Sequence, residues 1–137
     1  METINIYTDG ACSGNPGPAG IGIVLRYKEH CKRVSEYIGE GTNNVAELTA
    51  ILRSLQMVKN PKFPVVIYTD SNYCLGILAK GWKAKQNVIL VDDIRELMGK
   101  FESLEIIKVS GHTGMKDNEL ADSLARMAIT NKKNEIK

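Results

Sequence analysis

Apolar and polar residues alternate along Ile4-Asn5-Ile6-Tyr7-Thr8, and this period of two predicts a strand over residues 2–9. Gly20 to Tyr27 reads as a second strand and Lys32 to Gly39 as a weaker third. The short Lys28-Glu29-His30-Cys31 link between them favours an antiparallel hairpin. The period then changes. Leu48, Ile51, Leu52, Leu55 and Val58 recur at helical spacing, Thr42 can cap the turn before them, and Asn60-Pro61 stops it, which predicts a helix over 43–59. Phe63 to Thr69 is a continuous apolar run, the kind buried on both faces of a parallel arrangement. Helices are expected over Ser71 to Leu78, Val88 to Phe101 and Met115 to Ile129, a last strand over Leu104 to Val109, and a frayed tail over 131–137. Three sequential strands followed by alternating helices and strands predict an α/β fold, with a mixed sheet of about five strands and helices on both faces.

Composition narrows the class. A chain of 137 residues without linker, repeat or low-complexity stretch is expected to form one domain, 1–137, around one core. Hydrophobic residues at 43% and charged residues at 25% describe an ordinary globular protein and exclude a disordered one. No charged start precedes an apolar stretch, and no apolar run approaches the roughly 18 residues that span a bilayer. A soluble, cytoplasmic protein with no membrane association is expected. The net charge of +2 is too small to imply a polyanionic partner by itself, so any basic footprint must be local. Cys12, Cys31 and Cys74 lack metal-ligand spacing and read as reduced thiols.

Three acids change the picture. Asp9 ends the first strand and opens the turn-rich run DGACSGNPGPAG; Asp70 ends the strand Val65–Thr69; Glu47 falls in the first turns of the helix that follows Thr42-Asn43-Asn44. Two strand ends and a helix start can converge on one point. Three carboxylates there repel one another without a cation, and an all-oxygen donor set suits Mg²⁺ or Mn²⁺ rather than zinc. Asp122 lies four residues after Asn118 and shares its helix face. His112 sits in a Gly-flanked loop, where nearby carboxylates favour proton shuttling near neutral pH.

Other motifs allow two readings. The run Gly14 to Gly20 serves equally as a plain connection or as a small-residue surface approached by a polyanion, with Asn15 as donor. Thr42-Asn43-Asn44 is an ordinary helix start, yet its free N–H groups suit phosphate and its amides suit minor-groove acceptors. Lys80-Gly81-Trp82-Lys83-Ala84-Lys85 is either a solvated loop with Trp82 pinned to the core or a phosphate-tracking patch, in which Trp82 packs on substrate and Lys83 meets its backbone.

Four ordered motifs, YTDGACSGNPGPAG, TNNVAEL, YTDSNY and VSGHTGMKDNELADSLA, cover nearly the whole chain. On these motifs the chain resembles the ribonuclease H type 1 family. The resemblance implies a five-stranded mixed sheet whose second strand is antiparallel to the rest. It implies endonucleolytic hydrolysis of the RNA strand of RNA–DNA hybrids by two-metal-ion catalysis, leaving 5′-phosphate and 3′-hydroxyl ends. It assigns Asp9, Glu47, Asp70 and Asp122 to Mg²⁺, with Mn²⁺ as the substitute, and His112 to product release. Asn15, Asn43 and Asn44 are similar to minor-groove contacts, Ser71 and Asn72 flank a catalytic acid, and Thr42 resembles part of a DNA-phosphate pocket. The resemblance implies a hybrid duplex as partner, and a monomer is the default expectation for a compact domain with no evident apolar edge. Two departures imply weaker hybrid affinity: Glu40 stands where many members carry arginine, and the lysine run is shorter than a full basic handle. A hybrid-coating module would not need four carboxylates, and a DNA-directed nuclease of the same superfold would not need the Thr42-Asn43-Asn44 run.

Overall fold

The computed structural model describes residues 1–110, 116–132 and 134–136, the side chain of Glu135 apart. β1 (Ile4–Cys12) carries the alternation into three dimensions: Ile4, Ile6 and Thr8 are buried, while Asn5 and Tyr7 between them are half-buried. Its two edges pair in opposite senses. β2 (Gly17–Tyr27) runs antiparallel to it, and β4 (Val65–Thr69) parallel. β3 (His30–Gly41) continues from β2 as the antiparallel hairpin expected, and β5 (Leu104–Lys108) adds a parallel strand beyond β4. These five strands reproduce the predicted mixed sheet, and a two-residue β6 (Glu135–Ile136) extends it beside β3. The spatial order among the described residues is β5-β4-β1-β2-β3-β6.

The register across β1 creates the feature on which the site depends. The parallel ladder with β4 runs from Ile4↔Val65 to Tyr7↔Tyr68, whereas the antiparallel ladder with β2 continues to Cys12↔Ala19. Past Tyr7, one ladder has ended and the other still holds the strand. Asp9 and Asp70 each lie two residues beyond the last parallel pair, on neighbouring segments of backbone.

Among the described residues four helices cover the sheet: α1 (Asn43–Met57), α2 (Asn72–Ala79), α3 (Val88–Met98) and α4 (Lys116–Asn131). The two faces are packed differently. On the α1 face, Ile6, Ile21, Ile23, Leu48, Ile51, Leu55, Ile67 and Ile94 are essentially inaccessible to water. Each such side chain contributes about 1.5–3 kcal/mol, so this face supplies most of the hydrophobic stabilisation. α4 docks through small residues, Ala121, Ala125 and Ala128, against β2. It gains less from burial but comes much closer to the strands.

Every predicted strand shifts by a residue or more at one end or both, β3 for instance spanning His30–Gly41 rather than 32–39, and the shifts at the glycine-rich connection bear on the site. Asp9 does not end β1, which continues to Cys12, and β2 starts at Gly17 rather than Gly20. The Gly- and Pro-rich composition reads locally as a turn, but Cys12↔Ala19 and Gly17↔Gly41 pair as strand, and the Ser13 N–H donates to the Pro18 carbonyl at 2.8 Å. β6 pairs with Val34 and Ser35 from within the tail expected to fray.

Candidate active site

Asp9, Glu47 and Asp70 meet at the notch beside β1, each offering a carboxylate oxygen within 4.8 Å of the others. Each arrives from a different direction. Asp9 stands opposite Gly22 in the β1–β2 ladder, so the two share a face of the sheet. A Cβ on Gly22 would lie 1.9 Å from the Ala121 carbonyl oxygen, which identifies that face as the α4 side. Asp122, on the next residue of α4, lies on that side and helps raise the Asp9 carboxyl, but it is not among the three acids that meet within 4.8 Å. Glu47 comes from the opposite face. A Cβ on Gly10 would lie 2.5 Å from the Ala46 carbonyl carbon and the Glu47 nitrogen, so only a glycine lets the first turns of α1 approach this closely. The Gly10 N–H donates to Glu47 Oε1. Asp70 follows β4 directly, and the Ser71 N–H donates to Thr69 Oγ1 at 3.1 Å, tightening the bend that presents it.

The electrostatics are those of a cluster short of positive charge. Asp9, only 6% exposed, has its carboxyl pushed well above the usual range, first by burial and then by the Glu47 charge and the Asp122 hydrogen bond. Burial also raises Glu47, opposed by its hydrogen bonds from Asp9 and the Gly10 N–H. Asp122 stands at the margin, where Arg126 Nη2 approaches its Oδ2 at 2.8 Å. Cys74 lies behind the cluster as a neutral thiol, pushed up to about 12 chiefly by burial, and is no ligand. Among the described residues the donor set is carboxylate oxygen throughout, and it fits a hard divalent cation.

A second group of predicted residues comes together at the start of α1. Asn15, Thr42, Asn43 and Asn44 line a cleft of about 320 Å³ with Gln86 and Asn87. Thr42 Oγ1 caps α1 by accepting from the Val45 N–H at 3.2 Å. Asn15 Oδ1 accepts from the Asn43 N–H at 3.0 Å, tying the glycine-rich connection to the helix start. Glu40 is exposed on β3, two residues before Thr42. Ser71 caps α2 by accepting from the Cys74 N–H at 3.0 Å, and exposed Asn72 accepts from Lys108. Trp82 is half exposed, with its ring packed on Gly76 of α2 and its carbonyl accepting from Arg95 at 2.9 Å. Trp82 and Lys83 line a separate groove with Tyr73, Ile77, Lys85 and Gln86. Gln86 touches both depressions, and so joins them.

His112 lies outside the described residues. Gln86 and Asn87 escape a reading by periodicity because they sit between elements. Gly10 and Gly22 escape it because a strand glycine signals close approach without saying to what. The pairing of Arg26 with Asp117, at 2.5 and 2.8 Å, fastens β2 to the first turn of α4 and depends on two residues 91 apart. Asn118 is buried, with its Oδ1 unpartnered among the described residues.

Known proteins share this architecture. Residues 1–130 match the family model for RNase H. Ribonuclease HI of Haemophilus ducreyi is 38% identical over 143 aligned positions, covering 96% of this chain and 93% of that protein. Ribonuclease H of Saccharopolyspora erythraea is 44% identical, covering 91% and 89%. The crystal structure of RNase H1 from Halobacterium salinarum superposes with a TM-score of 0.83 at 30% identity, covering 95% of this chain and 99% of that one. LC11-RNase H1, solved in complex with an RNA/DNA hybrid, gives 0.80 at 31% identity, covering 94% and 98%. Since the likeness runs from β1 through α4, the chain belongs to the ribonuclease H family.

Proposed function

We propose that this chain is an endoribonuclease that hydrolyses the RNA strand of RNA–DNA hybrids, leaving 5′-phosphate and 3′-hydroxyl ends. The observation that carries the reading is the convergence of Asp9, Glu47 and Asp70 within 4.8 Å, on a sheet shared with a relative solved on such a hybrid. Asp9, Glu47 and Asp70 would hold Mg²⁺, with Mn²⁺ as the substitute and Asp122 alongside. Bound there, hard divalent cations activate water and neutralise the leaving oxygen.

The chain's own residues position the substrate. Thr42 Oγ1 accepts from the helix and retains its own O–H to donate to a phosphate of the DNA strand. Asn43 and Asn44 offer exposed amides at the α1 start, and Asn15 holds that start in place. Amide donors and acceptors read minor-groove width and 2′-hydroxyls rather than base sequence, so sequence preference is weak. Trp82 and Lys83 take the strand farther from the acids, as a stacking ring and a phosphate contact. Exposed Glu40 beside Thr42 and the short lysine run lower affinity relative to members with a full basic handle. His112 assists release of product. The protein works as a cytoplasmic monomer of one domain.

The test is a labelled hybrid, duplex RNA, duplex DNA and single strands incubated with Mg²⁺ or EDTA. Cutting of the hybrid's RNA strand alone, abolished by EDTA, is the expected result. Cutting of duplex DNA at a comparable rate, or of the hybrid in EDTA, overturns the proposal.

A further inference from the structure

Asn72 opens α2 two residues after Asp70, a member of the acid cluster, with its side chain exposed. Its Oδ1 accepts a 2.5 Å hydrogen bond from Nζ of Lys108, the last residue of β5. Both backbones are firmly held. Lys108 is the register partner of Thr69, and the Val109 N–H donates to the Thr69 carbonyl at 2.8 Å. On the other side, Ser71 bonds to Thr69 through its N–H and to Cys74 through its hydroxyl, which fixes where α2 begins.

The chemistry of the pair is directional. An ammonium has three donors and no acceptor, so it can hold an amide only by its oxygen. A free asparagine turns about a broad, roughly two-fold χ2 and presents oxygen or nitrogen with similar ease. Bonded to Lys108, Asn72 has its oxygen occupied and its two N–H donors left for something else. The nearby acceptors on an RNA strand are 2′-oxygens, base edges and phosphates, all of which want donors.

Resting on the hydrolase reading above, we propose that Lys108 is a positioning residue for hybrid recognition: it captures the Asn72 oxygen so that the Asn72 amino group donates to the RNA strand beside Asp70. This differs from a lysine that merely attracts phosphate, whose contribution would not depend on Asn72 at all.

The experiment measures kcat and KM on a labelled RNA–DNA hybrid at fixed salt for Lys108→Met, Lys108→Arg and Lys108→Glu, each with Asn72 intact and with Asn72→Ala. Thermal unfolding of every variant checks the fold. Lys108→Met is expected to raise KM about 3- to 10-fold, the worth of one hydrogen bond, with kcat within about twofold. Lys108→Arg, also donor-only, restores KM. Lys108→Glu, acceptor-only, captures the amino group instead and raises KM further. In the Asn72→Ala background the Lys108→Met penalty largely disappears. An equal penalty in both backgrounds overturns the proposal and leaves a simple charge contact. A fall in kcat at unchanged KM also overturns it. Failure of the unaltered chain to cut the hybrid overturns the hydrolase reading, and the positioning role with it.

Discussion

Replacing Asp9 with asparagine should abolish cleavage and, without metal, make the protein more stable. Asp9 is nearly inaccessible and shares a space under 5 Å across with Glu47 and Asp70. Folding without a cation therefore forces either an uncompensated buried charge or the uptake of a proton. The second route sets a ceiling on the cost. Keeping a proton at about pH 7 on a carboxyl whose unfolded pKa is about 3.9 costs about 1.36 kcal/mol per unit, or about 4 kcal/mol. Asparagine is isosteric, uncharged and able to donate to the neighbouring carboxylates, so it recovers roughly 1–4 kcal/mol, or about 4–15 °C in Tm. The sign follows from the direction of the shift. Asp9 is raised in the folded state, so wild-type stability is fully present below the unfolded value near 4 and is lost as pH rises toward the folded value. The gap between variant and wild type should thus be wide near pH 7 and close near about pH 4. Thermal unfolding by circular dichroism in EDTA, at both pH values, measures it. Equal stabilisation at both, or none near neutrality, refutes the reasoning, as does a variant that cleaves at near wild-type rate.

Mg²⁺ should stabilise the wild-type protein by RT ln(1 + [L]/Kd), read as a Tm that climbs with concentration, and stabilise Asp9→Asn less; identical titration curves would remove the cluster from metal binding. Gly10→Ala should destabilise by about 1–3 kcal/mol in urea unfolding and lower cleavage, since a methyl there meets the α1 backbone at 2.5 Å. Wild-type stability with wild-type activity would show that α1 need not approach so closely. Asp117→Asn should cost only about 0.5–1 kcal/mol despite the two-pronged contact, because the Arg26 side chain is 39% exposed and water screens its charge, although Asp117 itself is 14% exposed. A loss of several kcal/mol in the same urea assay would mean that the pair holds α4 in place.

Elements are legible in the chain wherever pattern and burial coincide. Leu48, Ile51 and Leu55 repeat at helical spacing because they face the sheet, and Val65 and Ile67 read as strand because parallel neighbours cover both their edges. Asp9, Glu47 and Asp70 stand out because a carboxylate at the junction of an apolar element has no local purpose. What escapes such a reading depends on partners far along the chain. Residues 17–20 form strand because residues 37–41 and, for Ala19 and Gly20, residues 11–12 pair with them, overriding a composition that favours a turn. Gln86 and Asn87 join the asparagine cleft through the path of the chain after α2, which no periodicity encodes. The bond from Lys108 to Asn72 spans 36 positions and needs the β4–β5 register to exist.

The unequal pairing along the two edges of β1 bears on where the family can tolerate changes of length. One residue inserted between Ile4 and Asp9 would reverse the facing of everything beyond it, turning the aspartate toward α1 and a side chain into the space that Gly10 keeps open. An insertion at Lys28–Glu29, where Lys28 already adopts a left-handed turn at the far end of the hairpin, leaves that facing untouched. Drift in chain length should therefore gather at the β2–β3 tip, while the stretch from Ile4 to Asp9 keeps its count.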